Sequence, residues 1–228
     1  MATKTSTEFL KKIRPYVIQD MRASGILASM TAAQAFIESN KGISGLTIKA
    51  NNLFGIKGKY NGQSVTMPTK EWQNGQYVIV SAAFRKYPSW LESINDHSAM
   101  FNRMSRYENL RNCQDYEESC FNVKKDGYAT DPDYSLTLIS KIKEYKLWMW
   151  DYEVLKDYSP VRLRTVRKGA DGGGVYLLQI LLAKNDYNLK CDGQFGPATE
   201  SCVKAYQQAM GLKVDGICGQ NTWKAIKE

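Results

Sequence analysis

The feature that most constrains the fold is one alternating stretch set between helical ones. The segments "QSVTMPTKEW" and "QYVIVSAAFRKY" lie on either side of Asn74-Gly75, and both alternate apolar with polar residues. An Asn-Gly pair between two such runs is a strong hairpin signal. Before and after it, apolar residues recur at helical spacing, as in "STEFLKKIRPYVIQDMRASGI" and "DYSLTLISKIKEYKLWMW". The pattern predicts a mainly helical domain interrupted by one β-hairpin.

Helix boundary signals refine this picture. Pro15 interrupts the first helical pattern, which predicts either two short helices or one kinked helix, and Gly25 ends it. Ser89 to Glu92 fits a capping box. Asp131-Pro132 predicts an N-cap and a proline at the first helical position of the helix that follows.

The C-terminal part contains an internal repeat. "DGQFGPAT" (192–199) and "DGICGQNT" (215–222) both fit D-G-x-x-G-x-x-T, and each precedes a helical run. In each copy the Asp-Gly predicts a turn, the second glycine a positive φ and the threonine a helix start. Residues 153–164 lose periodicity and contain a proline, which is typical of a linker. We therefore predict domains at 1–152 and 165–228, joined by a linker at 153–164.

Composition and charge narrow the function. Lysine plus arginine exceeds aspartate plus glutamate by eight among the 228 residues, which favours polyanionic partners. No basic block interleaved with aromatics and no known nucleic-acid motif occurs, so nucleic acid is not an expected partner. No apolar run is long enough for a membrane helix. The opening "MATKTSTEFLKKIRP" lacks the apolar region of a secretory signal, which predicts synthesis in a cytoplasm without export by that route.

The five cysteines show no C-x-x-C spacing, so they predict neither a disulfide framework nor a zinc site. Reduced, mostly buried thiols are the expectation, and a disulfide within the C-terminal trio stays open. His97 is the only histidine and has no nearby nucleophile motif, which argues against a Cys/His protease. No cofactor or metal is implied.

One carboxylate stands out in "TAAQAFIESNKG" (31–42). Glu38 follows Phe36 and Ile37 and precedes a polar loop, so it lies where an apolar helix ends and the loop begins. A carboxyl partly shielded by apolar neighbours tends to hold its proton, as a general acid must. Glu38 is therefore a candidate catalytic acid.

At this point several ordered motifs resemble a known family. "TAAQAFIESNKG", "NNLFGIKG", the hairpin with "TKEW", "AFRKYPSWLESINDH" and "GYATDPDYS" resemble the glycoside hydrolase family 73 glucosaminidases over roughly residues 8 to 150. The segment from about 165 to 228 is similar to three-helix peptidoglycan-binding modules. The resemblance implies a mainly α (α+β), lysozyme-like catalytic domain with a β-hairpin lobe, followed by a small three-helix wall-binding domain.

The resemblance also implies roles for residues. Glu38 matches the general acid, and Glu71 in "TKEW" matches the second carboxylate, with Asp96 and Glu92 as alternatives. Tyr128 matches a tyrosine at the cleavage point that positions water or contacts the N-acetyl group. The substrate's acetamido group is an alternative nucleophile, so the stereochemical outcome stays open.

Sugar-facing residues are expected among aromatics and the "NNLFG" signature. Aromatic rings can cover flat sugar faces. The candidate substrate-binding residues are Asn51, Phe54, Tyr60, Trp72 and Tyr134, with Asn52 and Tyr77 beside them. Each aromatic can equally be a core residue, and the "NNLFG" residues are expected to be mainly structural, with backbone groups facing the sugar.

Together these observations predict a peptidoglycan hydrolase that cleaves the β-1,4 bond between N-acetylglucosamine and N-acetylmuramic acid. The expected partners are glycan strands of peptidoglycan and anionic wall polymers, with no membrane partner; the oligomeric state is left open. The short two-module layout resembles a bacteriophage endolysin that acts on the cell wall after release, while a bacterial autolysin could share it. A muramidase or lytic transglycosylase on the same scaffold, or a non-catalytic wall-binding protein, are the alternatives.

Overall fold

The computed structural model describes residues 4–73 and 75–228, and it leaves the side chains of residues 4, 71–73 and 77 undescribed. Helices dominate the described chain, and two strands form its antiparallel sheet. The elements in chain order are α1 (Lys4–Ser24), α2 (Ala28–Glu38), α3 (Gly45–Ala50), β1 (Ser64–Gln73), β2 (Gln76–Arg85), α4 (Trp90–Arg103), α5 (Tyr116–Lys125), α6 (Tyr134–Tyr145), α7 (Trp148–Leu155), α8 (Gly173–Lys184), α9 (Pro197–Ala209) and α10 (Gln220–Lys227), with short 3-10 helices at Ser105–Leu110 and Pro160–Arg162.

The predicted hairpin is confirmed. β1 and β2 pair in register from Ser64 opposite Arg85 to Gln73 opposite Gln76, which leaves a two-residue connection at 74–75. Gly75 has φ +80°, as two-residue hairpin turns require. Asn74, the other half of the predicted turn, lies outside the described residues.

The first helix is continuous through its proline. Pro15 lies on the exposed side of α1, while the opposite side carries a buried apolar row one helical turn apart. That row is Phe9, Ile13, Val17 and Met21. Of the two predicted forms, the structure therefore has one helix, which ends at Ser24 before Gly25 at φ +77°. Its buried row packs against α2, α4 and α7.

Two other boundary predictions have different outcomes. The predicted N-cap at Ser89 is confirmed, because its hydroxyl accepts a hydrogen bond from the Leu91 backbone N–H. Glu92 accepts from the Ser89 hydroxyl, whereas in a capping box it would accept from the Ser89 backbone N–H. The Asp131-Pro132 prediction is wrong by two residues. Asp131 Oδ1 instead accepts from the Asp133 N–H at 2.9 Å, a local turn, and α6 begins at Tyr134.

The helix α2 forms the centre of the larger domain. All of its residues from Ala28 to Phe36 are buried, and it packs against α1, α5, α6 and α7. Small side chains such as Ala32 and Ala33 allow these helices to approach closely. Only the C-terminal end of α2 reaches the protein surface, and that end carries Glu38.

The C-terminal repeat is built around a buried glutamine that the sequence pattern does not include. In the first copy, Gln179 on α8 donates to Asp192 Oδ1 at 3.1 Å and to Thr199 Oγ1 at 3.1 Å. Its side-chain carbonyl accepts from the backbone N–H groups of Asp192 and Gly193. One amide therefore holds both the Asp-Gly turn and the start of α9.

The second copy repeats this arrangement with Gln207 on α9, which bonds Asp215, Gly216 and Thr222. The predicted position of the positive φ is wrong. The first glycine of each copy has it, with Gly216 at φ +74°, whereas the second glycine is an extended N-cap. The reason is that the turn must reverse at the Asp-Gly step so that both N–H groups face the glutamine.

The segment predicted as a linker is packed against the rest of the molecule. Residues 153–155 complete α7, and Leu155, Tyr158 and Leu163 are buried. Across the junction, Trp148 and Tyr176 pack with ring centroids 5.2 Å apart. The domain boundaries themselves stay a prediction.

Candidate active site

Glu38 is the last residue of α2, at the point where this buried helix meets solvent. The carbonyl groups that end a helix carry partial negative charge, which disfavours a carboxylate there. The protein around the side chain acts in the same direction: burial raises the pKa of Glu38 above its ordinary value. Glu38 thus keeps its proton to higher pH than a surface glutamate does.

The carboxyl is held by a short hydrogen-bond chain. The Tyr134 hydroxyl, at the start of α6, donates to Glu38 Oε1 at 3.0 Å, which partly offsets the rise in the pKa of Glu38. Gln34, one turn before Glu38 on α2, donates from Nε2 to the Tyr134 hydroxyl at 3.1 Å. Both Gln34 and Tyr134 are buried. The chain therefore fixes the direction in which Glu38 faces.

Tyr128 lies beside this pair. Its ring stacks on Tyr134 with centroids 5.9 Å apart and an interplanar angle of 28°. Burial, with a smaller effect from the charge of Glu38, raises the pKa of Tyr128 well above its ordinary value. The hydroxyl therefore stays protonated. The structure thus brings together Glu38, Tyr128 and Tyr134, which are predicted site residues from two separate motifs.

The "NNLFG" loop is braced by its own side chains. Asn51 adopts φ +51° at the end of α3, and its amide donates to the carbonyls of Tyr87 at 3.0 Å and Pro88 at 3.1 Å. Asn52 is buried and its amide donates to the carbonyls of Ile56 and Arg85, both at 2.9 Å. These bonds join the loop to the base of the hairpin. The expectation that these asparagines are mainly structural agrees with this geometry.

Phe54 and His97 form the packing beneath the site. Their rings stack with centroids 3.8 Å apart. His97 is fully buried, and burial lowers its pKa to about 3, so the imidazole is neutral. The sequence around His97 is polar, but its ring is enclosed by the rings of Phe54 and of Phe101, one turn later on α4.

The hairpin carries the predicted second carboxylate. Glu71 is on β1, opposite Val78 on β2, while its side chain and that of Trp72 lie outside the described residues. Both alternative acids have other partners. Asp96 accepts from the Tyr87 hydroxyl at 2.7 Å and pairs with Arg85, and Glu92 accepts from the Ser89 hydroxyl.

Tyr60 lies at the base of the hairpin, where its ring packs on Tyr87 with centroids 4.8 Å apart. The two tyrosines line a shallow cavity of about 180 Å³ together with Asn61, Gln63, Lys86 and Pro88. A partly apolar cavity of this kind suits one face of a sugar ring. Of the predicted binding aromatics, Tyr60 is thus placed at an open surface and Tyr134 at the acid.

Comparison with known proteins identifies the fold. Residues 14–147, more than half of the chain, match the family model described as mannosyl-glycoprotein endo-beta-N-acetylglucosaminidase. The chain belongs to the glucosaminidase family. Residues 171–226 of this glucosaminidase match the model of a peptidoglycan binding domain, so both expected modules are confirmed.

Three relatives illustrate the match. The exo-glucosaminidase LytG of Bacillus subtilis is 40% identical over 131 residues, which are 55% of this chain and 46% of LytG. An autolysin of Enterococcus faecalis is 36% identical over 157 residues, covering 65% of this chain and 21% of the autolysin. The chain therefore spans less than half the length of these relatives. The catalytic domain of the autolysin Auto from Listeria monocytogenes superposes with a TM-score of 0.62 at 31% identity, covering 66% of this chain and 89% of that domain.

The structure of the glucosaminidase also shows the state of its cysteines and bears on metal and membrane sites. All five cysteines are free thiols. In the described part of the chain, no group of three or more histidine, cysteine or acidic side chains is placed to bind a metal ion. The helices described here are all too short or too polar to span a membrane.

Proposed function

We propose that this chain hydrolyses the glycan strands of peptidoglycan, at the β-1,4 bond between N-acetylglucosamine and N-acetylmuramic acid, with Glu38 as the general acid. The observation that carries the proposal is the state of Glu38: it is the solvent-facing end of an otherwise buried helix, its pKa is raised by burial, and Tyr134 orients it. Cleavage of a glycosidic bond requires a proton on the leaving oxygen.

The second half of the reaction is assigned to the hairpin. Glu71 activates water or stabilises the cationic transition state, and the structural partners of Asp96 and Glu92 support this choice over either alternative. Catalytic contacts often tighten only when substrate is bound, so we expect the hairpin to bring Glu71 to the glycan on binding. If the acetamido group of the substrate is instead the nucleophile, we propose that Tyr128 contacts it; the stack of its ring on Tyr134 and its protonated hydroxyl support this role.

Substrate binding is assigned to aromatic and loop residues of the catalytic domain and to the C-terminal domain. Tyr60 and Trp72 cover sugar faces, and the loop held by Asn51 and Phe54 offers its backbone to the glycan. The C-terminal domain binds the wall, and the surplus of positive charge adds attraction to anionic wall polymers. We propose an endolysin or autolysin that acts on the wall after release from the cell.

Mass spectrometry of digested peptidoglycan tests this proposal. Reducing-end N-acetylglucosamine is the expected product. Reducing-end N-acetylmuramic acid would indicate a muramidase, anhydro-N-acetylmuramic acid a lytic transglycosylase, and no product a wall-binding protein. Sedimentation of the intact chain with cell walls at about 0.1 M and about 1 M salt separates specific binding from charge attraction, because the Debye length falls from about 10 Å to about 3 Å.

A further inference from the structure

We call α2 the catalytic helix because its C-terminal end carries Glu38. Its N-terminal end is capped by a residue from a distant part of the sequence. The N-cap position of α2, Leu27, offers no side-chain cap. Instead the backbone N–H of Ser29 donates to Asp151 Oδ1 at 2.9 Å, across 122 residues of sequence. Asp151 is on α7 and is buried. It lies outside the range matched by the glucosaminidase family model, residues 14–147.

This cap acts on the part of the molecule that carries the proposed acid. The first-turn N–H groups of a helix have no partner within the helix, and a buried one left unsatisfied is costly. The eleven residues of α2 span about 16 Å, a short and rigid element. A displacement at the Ser29 end would therefore be transmitted along α2 and would change the distance between Glu38 and Tyr134.

The first helix of the C-terminal domain, α8, packs against the part of α7 that holds Asp151. Gly173 begins α8, and a Cβ placed there would lie 2.9 Å from the Tyr152 backbone nitrogen and 3.0 Å from both Asp151 Cβ and the Trp148 carbonyl oxygen. Two of these contacts are with backbone, so they cannot move aside as a flexible side chain does. The backbone of α8 thus rests directly on the turn of α7 that holds Asp151.

Further contacts keep α8 at this place. Tyr176 packs edge-on against Trp148 and Tyr152, with ring centroids 5.2 and 5.0 Å away. The Tyr116 hydroxyl on α5 donates to Asp171 Oδ2 at 2.9 Å, just before α8 begins. The C-terminal domain therefore contacts α7 through a packed interface next to Asp151.

We propose that the C-terminal domain positions the catalytic helix through Asp151, in addition to binding the wall. The inference rests on the proposed function, in which Glu38 is the acid. Asp151 is a positioning residue, because it acts on Glu38 through α2 and touches no substrate. Packing of α8 on α7 then raises the turnover catalysed by Glu38, even on soluble peptidoglycan fragments, for which wall binding gives no advantage.

Two adjacent glycines, tested in the chain of 228 residues, provide the matched comparison. Gly173→Ala inserts a methyl group against backbone, whereas at Gly174 the nearest atom to a Cβ is Val166 Cγ1 at 3.6 Å, an ordinary contact. On soluble peptidoglycan fragments we expect Gly173→Ala to lower kcat about tenfold, and up to about 10²-fold, since small misplacements of catalytic groups have large effects. We expect KM and wall sedimentation to stay unchanged, and Gly174→Ala to behave as wild type.

Asp151 itself gives the second comparison. Burial raises its pKa to about 7, and asparagine keeps an oxygen that can accept from Ser29. We expect Asp151→Asn to retain most of the turnover and Asp151→Ala to lose it. If Gly173→Ala does not fold, as judged by circular dichroism, Tyr176→Leu loosens the same contact without obstruction and is expected to lower kcat in the same way.

Folded Gly173→Ala or Tyr176→Leu protein with wild-type kcat would overturn the inference, as would equal kcat for Asp151→Asn and Asp151→Ala. Failure of the proposed function looks different. In that case Glu38→Gln stays active, whereas an inactive Glu38→Gln combined with unaffected Gly173→Ala removes only the coupling between domains.

Discussion

Replacing Tyr134 with phenylalanine tests the hydrogen-bond chain at the candidate acid. The ring and its stack on Tyr128 remain, while two hydrogen bonds are lost: the one to Glu38 at 3.0 Å and the one from Gln34 at 3.1 Å. The Gln34 side-chain oxygen already has no hydrogen-bond partner among the described residues. Tyr134→Phe therefore leaves the buried amide of Gln34 without any partner.

The expected effect on stability follows from that unsatisfied amide. Leaving a buried polar group without its partner costs about 1–3 kcal/mol, and the free energy of unfolding should fall by that amount. Urea denaturation followed by circular dichroism measures it. Adding Gln34→Leu should recover most of the loss, because replacing both polar partners by apolar groups is nearly neutral. A double variant as unstable as Tyr134→Phe alone would refute this account.

Activity gives a second measurement on the same variant. Since the hydrogen bond from Tyr134 lowers the pKa of Glu38, its removal should raise that pKa. A general acid acts in its protonated form, so the alkaline limb of the kcat profile against pH should move to higher pH. A limb that stays in place or moves to lower pH would show that Tyr134 does not bond to the acid during turnover.

Four other predictions follow from individual residues. Glu38→Gln should lower kcat by about 10²–10⁴-fold on purified peptidoglycan while wall sedimentation is unchanged; activity within a few-fold of wild type would remove Glu38 from its role. Glu71→Gln should lower kcat severely if Glu71 activates water and modestly if the acetamido group is the nucleophile, and full activity would make the assignment wrong. His97→Phe should be at least as stable to urea as wild type, because neither ring nitrogen has a hydrogen-bond partner in the described structure; a loss above about 1 kcal/mol would contradict this. Burial raises the pKa of Asp20 to about 6, so the folded state binds its proton more tightly than the unfolded state and stability falls as pH rises from about 4 to about 6; Asp20→Asn should flatten this dependence in thermal melts, and an unchanged slope would disprove it.

Local patterns were predictable wherever neighbouring residues determine the backbone. The hairpin, the N-cap at Ser89 and the helix end before Gly25 depend on a few consecutive residues, and the structure contains all three. The position of Glu38 at the end of an apolar helix was also readable, because it requires only the helical period and the change to polar residues. The family resemblance then ordered these pieces.

Where two local signals competed, the feature was predicted correctly but its position was wrong by a few residues. Asp131 accepts from the Asp133 N–H in a local turn and does not cap the helix. An aspartate side chain can make either kind of bond, to a turn or to a helix start. In the repeat, the threonines and the Asp-Gly turns were in the pattern, but the glutamine that joins them lies on the preceding helix. Without Gln179 the spacing gives no reason to place the positive φ at the first glycine.

The sequence by itself determined the hairpin, most of the helices and the family; the tertiary structure alone decided what the acid touches. Gln34, Tyr134 and Glu38 come from two helices whose relative position depends on packing in the core. The bond from Ser29 to Asp151 joins residues 122 positions apart. Such contacts leave no periodic or local trace, because an N–H or a carboxylate selects its partner by distance after folding, and only the packing of the whole chain sets that distance.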